Sequence, residues 1–475
     1  MNRSERAPLK FVALVAALSL LAAACTSNAS PSASAGSSAS SGPPATAVEI
    51  EWFVGLGTGE NEEQIPAEEA VVAAFNADNP DIHLTLTVVD NTEAADTLAT
   101  RLAANDAPDI IGPIGIRGLQ SFGDQLLDIS PYIGSVDLSE IPQDLIDVYN
   151  VNGKQIGIPM AVYPSFMYYN KALFDEAGLA YPPHQVGDQY EGADWTWETV
   201  RELAMQLTVD ANGNDATSAD FDPDAIEQYG LDAQFTENDT RAWSTIFGGS
   251  GSVVADDGTT AQWPENWRAG LQFFYDGIWT DHFIPSGTAV QAMADGNTFQ
   301  SGLIAMDIVH QWYTCCIYPA EGTPAVTDWD IAVLPVGPDG NITSKLHADT
   351  IGIMDSTENP EQAFEALTFL AASPELISTW GAMPAVESQR QAFFDGLAPW
   401  SGSGSPALDI DWNVSTQMLE YPDNPSHEAF MPNFDKADSA NKDLGSKLWT
   451  TPDLDLGAEL DAQVELLQGL FDEGG

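Results

Sequence analysis

The side chains that could do chemistry are numerous in this 475-residue chain, but their spacing assembles no catalytic centre. The six histidines (His83, His184, His282, His310, His347 and His427) are widely scattered, so no HxxxH or comparable metal pair exists. Gly248-Gly249-Ser250-Gly251 approaches a nucleophile elbow but lacks the closing glycine of GxSxG, and no GxxxxGK phosphate loop occurs. Among 71 acidic residues a glycosidase pair is not excluded, yet such abundance makes any chosen pair uninformative. Asp210-Ala211-Asn212-Gly213-Asn214-Asp215, followed by Asp220 and Asp222, suggests a calcium loop. Its glycine is misplaced for an EF-hand and no glutamate closes it, which favours a solvated acidic insertion. The expectation is a binding protein rather than an enzyme, with no cofactor and no metal.

The compartment is written at the amino terminus. Arg3, Arg6 and Lys10 precede an uncharged apolar run from Phe11 to Ala24, and Ala22-Ala23-Ala24 leads into Cys25. That is the layout of a secretory signal, and the run is shorter than the roughly 20 residues of a membrane span. The cysteine at the cleavage point resembles the lipobox of bacterial lipoproteins, with Ala22 where a larger aliphatic is usual. The resemblance implies residues 1–24 as signal peptide and Cys25 as the lipidation site, the alternative being a plain secreted protein. Residues 25–47 are almost wholly Ser, Ala, Gly and Pro after the cysteine, the composition of a flexible tether. Against the 71 acidic residues stand 15 basic ones, a net charge of -56. That excess argues against nucleic acid, anionic lipid and phosphorylated ligands, all of which call for clustered Lys and Arg.

With Cys25 lipidated, Cys315 and Cys316 are the remaining thiols, in an oxidising compartment. Adjacent α-carbons sit about 3.8 Å apart, below the roughly 4.4 Å or more usual for a disulfide. A bond between them would close a strained ring, and the alternative is two free thiols behaving as small hydrophobes. A vicinal disulfide lining a cleft wall is the sharper expectation.

The elements that must position any site follow from periodicity. Val48, Ile50, Trp52 and Val54 alternate as a strand, a Gly-rich turn follows, and Val71, Val72 and Phe75 mark a helix. Ile82 to Val88 alternates again, Thr92 to Ala104 reads as helix, and Asp109-Ile110-Ile111 as a buried strand. Strand–helix alternation of this kind indicates an α/β lobe with a largely parallel sheet. Further on, Trp329–Pro335 and Thr350–Met354 read as strands. Asn359-Pro360-Glu361-Gln362 opens a helix with a cap and a first-turn proline. The tail from Leu454 to Phe471 reads as an acidic amphipathic helix.

Several segments, taken in order, resemble the extracellular carbohydrate-binding proteins of ATP-driven (ABC) importers, the group that includes maltose-binding protein. They include FNADNPDIHLTLT (Phe75–Thr87), LAANDAPDII (Leu102–Ile111) and LLDISPYI (Leu126–Ile133). The most specific is NGKQIGIPMAVYPSFMYYNKALFDEAGL (Asn152–Leu179), followed by FQSGLIAMDIVHQW, WDIAVLPVG and Gly381-Ala382-Met383-Pro384-Ala385. The resemblance implies a two-lobed α/β periplasmic-binding-protein fold. Each lobe would be a mostly parallel sheet flanked by helices, with the ligand cleft between lobes. The expected boundaries are 48–160 and 302–348 for lobe one, and 161–301 and 349–475 for lobe two.

Carried over residue by residue, the resemblance implies ligand contacts from Thr58, Glu60 and Asn61 in the turn after the first strand. It implies further contacts from Pro113, from Tyr163 at the crossing flanked by Pro159 and Pro164, and from Trp312, where His310 replaces the family's glycine. Asp349, and Trp243 as the best aromatic of lobe two, complete the set. Sugars need flat apolar platforms and fixed hydrogen-bond partners, which Trp, Tyr and Asp supply. The implied function is capture of a neutral sugar or oligosaccharide, delivered to a two-subunit ABC permease by a lipid-anchored, extracytoplasmic monomer. A surface-anchored glycan-processing enzyme, or a same-fold binder of peptide, amino acid or siderophore, are the alternatives.

Overall fold

The computed structural model describes residues 47–151, 153–234, 239–293, 298–317, 325–397, 409–425, 428 and 430–474. Strand β1 (Val48–Val54) buries Ile50, Trp52, Phe53 and Val54. Helix α1 (Ile65–Asp78) starts with a proline in its first turn and buries Glu68, Val71, Val72 and Phe75, the i, i+3, i+4, i+7 stripe of a helix lying on a sheet. β2 (Ile82–Val88) pairs with β1 in parallel. α2 (Asn91–Ala103) is capped by the Asp90 carboxylate, which accepts the backbone N–H of Thr92 at 2.9 Å. β3 (Ile110–Ile114) then lies parallel on the other side of β1.

The next strand joins the two halves of the molecule. β4 (Ile158–Asn170) is thirteen residues long and buried along its whole length. After it come β5 (Ile226–Ala233), α3 (Asp239–Gly248), α4 (Glu265–Trp279), β6 (Ile304–His310) and β7 (Trp329–Ala332). β8 (Leu346–Ile353), α5 (Pro360–Ala371) and α6 (Pro374–Thr379) follow. The first half of β4 pairs antiparallel with β8, which also pairs with β3. Its second half pairs antiparallel with β6 and β7, and β5 lies parallel to β6. Each lobe thus has parallel outer strands closed by antiparallel crossings.

Two hydrophobic cores result, within one compact unit. The first runs from Ile50 to Tyr163 and resumes from Leu346 to Phe394, with Leu419 added. The second runs from Phe166 to Leu334 and resumes from Val414 to Phe471. The first crossing falls at 163–166, close to the expected 160. The return boundaries are a correction. β6 and β7 belong to lobe two, where 302–348 was expected in lobe one, and 349–394 belong to lobe one, where lobe two was expected, while Val414 to Phe471 lie in lobe two. The reason is strand pairing, since β6 takes β5 as parallel neighbour, whereas β8 pairs with β3 and α5 packs behind it.

A buried charge network pins the later crossing. Lys345 Nζ and Arg241 Nη1 lie 3.3 and 3.1 Å from Asp423 Oδ2, and Arg241 Nε lies 3.2 Å from Glu428 Oε1. Asp423 Oδ1 also accepts the backbone N–H of Leu346 at 2.8 Å. Burial pushes Glu428 up, and Arg241 and Ser252 oppose that.

Candidate functional site

The turn after β1 is built around a side chain that motif reading passed over, Gln64. Its Oε1 accepts the backbone N–H of Gly59 at 3.0 Å and Nδ2 of Asn61 at 3.1 Å. Its Nε2 donates to Thr58 Oγ1 at 3.1 Å and reaches the Thr379 carbonyl at 3.4 Å. Gly59 has φ of +107°, and a Cβ there would sit 2.5 Å from Glu68 Oε1, so glycine is required. Beneath the turn, Trp380 Nε1 donates to Glu68 Oε1 at 2.9 Å. Burial pushes Glu68 up to about 7; the Trp380 hydrogen bond opposes this and the Glu60 charge adds to it. One oxygen of Glu60 is buried without a partner. Thr58, Glu60 and Asn61 therefore form one rigid shelf.

A chain of close approaches leads from that shelf across to lobe two. A Cβ on Gly57 would lie 2.8 Å from the Pro113 carbonyl, so the turn rests on the end of β3, where Pro113 is buried. Two residues on, a Cβ on Gly115 would lie 3.0 Å from Asp349 Oδ1. Tyr163 Oη donates to Asp349 Oδ2 at 3.3 Å. Burial pushes Asp349 up to about 6, against the pull of His347 and Tyr163. The buried Tyr149 hydroxyl is raised by burial first and by Asp349 second. The register of β4 against β8 slips between Asp349 and Thr350, a β-bulge beside Pro159 that sets the aim of Asp349. His347 pairs with Tyr163 and stacks on His310 with ring centroids 3.8 Å apart. His310 in turn lies 6.1 Å from the Trp312 ring, at an interplanar angle of 20°.

Trp312 ends this chain, partly buried and packed against both cores. Pairwise approaches thus link the Thr58–Asn61 turn through Pro113, Asp349 and Tyr163 to Trp312. Trp243 is not among them, and here the structure corrects the expectation. It is fully buried in lobe two, stacked on Phe274 at 5.0 Å and on Trp449 at 5.4 Å, with Nε1 donating to the Ala233 carbonyl. With both faces occupied it is core. The His310–His347 stack and Trp412, which also touches both cores, were missed. The histidine in place of the family's glycine was the available signal for the former.

The acidic stretch after residue 210 is self-contained. Asp210 accepts the backbone N–H groups of Asn212, Asn214 and Asp222 at 2.8, 2.9 and 2.9 Å, and those bonds hold it below the usual carboxylate range despite burial. Donors already fill the position a cation would take. Cys25 and the side chains of Cys315 and Cys316 lie outside the described residues. A polar hollow of about 510 Å³ also opens between the lobes, lined by Asp144, Asp147 and Asn150 on one side and Asn266, Asn341 and Asn424 on the other. None of the carried-over residues lines it.

The family model described as bacterial extracellular solute-binding protein matches residues 59–375. The chain belongs to that family. Such solute-binding proteins serve ABC transporters outside the cytoplasm, and the family is one of binding proteins rather than enzymes. Among relatives, a binding protein of Brucella abortus is 25% identical over 309 residues, covering 64% of this chain and 68% of that one. The multiple sugar-binding protein of Streptococcus mutans is 29% identical over 139 residues, 28% of this chain and 30% of its own. Among solved structures, the cyclic alpha-maltosyl-1,6-maltose binding protein of Arthrobacter globiformis superposes with a TM-score of 0.65 at 18% identity, covering 90% of this chain and 100% of that one. The sugar-binding protein MalE of Xanthomonas citri gives 0.63 at 16%, covering 90% and 98%. These structures establish the two-lobed solute-binding fold for the present family member. No helix among its described residues is long and apolar enough to cross a membrane.

Proposed function

We propose that this solute-binding protein captures a neutral sugar or oligosaccharide at Trp312 and hands it to a two-subunit membrane permease. The observation that carries this reading is the position of Trp312. A half-buried indole touching both cores stands two stacked histidines, His310 and His347, away from the Tyr163–Asp349 pair. An aromatic face takes the apolar side of a pyranose, and a carboxylate beside a phenol takes its hydroxyls. The names of the Streptococcus mutans and Arthrobacter globiformis proteins, both sugar binders, favour the same class. The alanine-rich signal ending at Cys25 supports anchoring through lipid at the outer face of the membrane, with the protein working as a monomer.

The test is a thermal-shift screen of mono- and oligosaccharides, cyclic glucans included, followed by calorimetry on hits. A ligand bound only by the folded state raises the melting temperature as its concentration passes Kd. No response to any sugar, with a clear response to a peptide, amino acid or siderophore, would overturn the reading.

A further inference from the structure

Two aspartates lie side by side in the interior of lobe two with nothing to balance their charge. Asp232 of β5 and Asp307 of β6 are register partners on adjacent parallel strands, so their side chains leave the sheet on the same face. Neither residue has any solvent-exposed surface. Asp232 Oδ1 accepts the backbone N–H of Ala233 at 2.8 Å, but Asp232 Oδ2 and both oxygens of Asp307 have no hydrogen-bond partner. Thr298, only 1% exposed, faces the Asp232 carboxyl, and its hydroxyl closes no hydrogen bond either. The backbone N–H groups of Gln234 and Ile308 lean toward Asp307 without reaching hydrogen-bond geometry. No Lys, Arg or His among the described residues acts on either carboxyl.

Buried polar groups in folded proteins are satisfied, and a buried ion without a counter-charge is strongly destabilising. Burial accordingly pushes both carboxyls well above the usual carboxylate range, Asp307 being also repelled by its neighbour. A shared proton would join the two carboxyls but leave the threonine hydroxyl and at least one carboxyl oxygen unmet. A divalent cation would meet all four oxygens and cancel both charges. Hard oxygen donors in a shell of flexible size are what Ca²⁺ takes, at roughly 2.3–2.6 Å, with backbone carbonyls and water completing the coordination.

We propose that Asp232, Asp307 and Thr298 form a calcium site beneath the end of the lobe-two sheet that leads to His310 and Trp312. It is a two-carboxylate site, since no group of three or more His, Cys, Asp or Glu among the described residues is placed to hold a metal. It stands independently of which solute the cleft takes.

The test uses the full chain purified without chelator, with metal content read by mass spectrometry after desalting. Melting temperature is then followed in EDTA and on adding Ca²⁺, Mg²⁺ or Na⁺. The surface of a chain with net charge -56 will bind calcium loosely, so the criterion is the difference between wild type and Asp307→Asn. The expected result is about one calcium retained per wild-type chain, a melting temperature that EDTA lowers and calcium restores, and neither effect in Asp307→Asn. Thr298→Val, which removes only a hydroxyl, should retain calcium more weakly, and it decides the matter with the wild-type metal content if Asp307→Asn does not fold. No retained calcium, with equal calcium responses in wild type and variants, overturns the proposal. So does a calcium-free wild type that gains stability relative to Asp307→Asn as pH falls, because the pair then holds a proton.

Discussion

Trp312 keeps part of its ring free between two cores, and a flat apolar face is what it can offer a ligand. Replacing it by alanine should weaken sugar binding by about 1–3 kcal/mol, the order seen for stacking on aromatic side chains. The fold should stay intact, with at most a modest fall in melting temperature from the packing lost where the ring touches the two cores. Calorimetric titration of wild type and Trp312→Ala with the same sugar checks this, and equal affinities would remove Trp312 from the site. Trp243 shows why residue type alone could not make the assignment. Its stacking partner Trp449 lies about two hundred positions away in sequence, a long-range pairing that no local pattern reveals. Tyr163 and Asp349 came from the family resemblance, and the structure places them in hydrogen-bond contact. Gln64 was not legible, since a lone glutamine in a polar turn looks like any other. Glu68, one turn into α1, supplies a pH prediction. Its carboxyl is raised from 4.5 to about 7, so the folded state holds a proton that the unfolded chain releases. The stabilisation is fully present below pH 4.5 and is lost as pH rises through 7. Glu68→Gln should therefore melt closer to, or above, wild type as pH rises from 5 to 8, by an amount on the order of 1–3 kcal/mol. A constant difference across that range would show that Glu68 does not titrate there.

At the scale of elements, the strand–helix alternation of lobe one was readable from periodicity and the start of α5 from Pro360, both local signals, although the Asn359 side chain closes no cap hydrogen bond. The lobe to which β6 and β8 belong was not readable. Ile304–His310 and Leu346–Ile353 are short, strongly buried strands without strict alternation, and their partners lie over a hundred residues away in places. Only the pairing of β6 with β5, and of β8 with β3, decides which core each joins. The later crossing depends on charges held in the dark. Asp423 is the shared partner of Lys345 and Arg241, and all three are buried. Asp423→Ala would take from Lys345 and Arg241 the buried carboxylate they share, leaving Glu428 to face Arg241, and breaking a buried pair in this way costs about 3–5 kcal/mol. Denaturant unfolding of the variant should show that loss; a change below about 1 kcal/mol would place the network among the energetically neutral ones.

For the whole molecule, the proposed lipid at Cys25 would be the sole attachment to the membrane. Cys25→Ser should appear in the soluble fraction of the cell exterior, and retention with the membrane would contradict lipid anchoring. The two cores are not two independent bodies. The same thirteen buried residues of β4 supply Ile158 to Tyr163 to one core and Phe166 to Tyr169 to the other. A backbone shared in this way cannot melt on one side while staying fixed on the other, so unfolding should be a single cooperative event despite the bilobal shape. Scanning calorimetry should give one peak whose calorimetric and van't Hoff enthalpies agree. A sugar bound in the cleft should move that whole peak upward, and two peaks, only one of them responding to ligand, would mean the shared strand parts in the middle. β4 would then act as a torsion bar, through which each lobe lends its stability to the other.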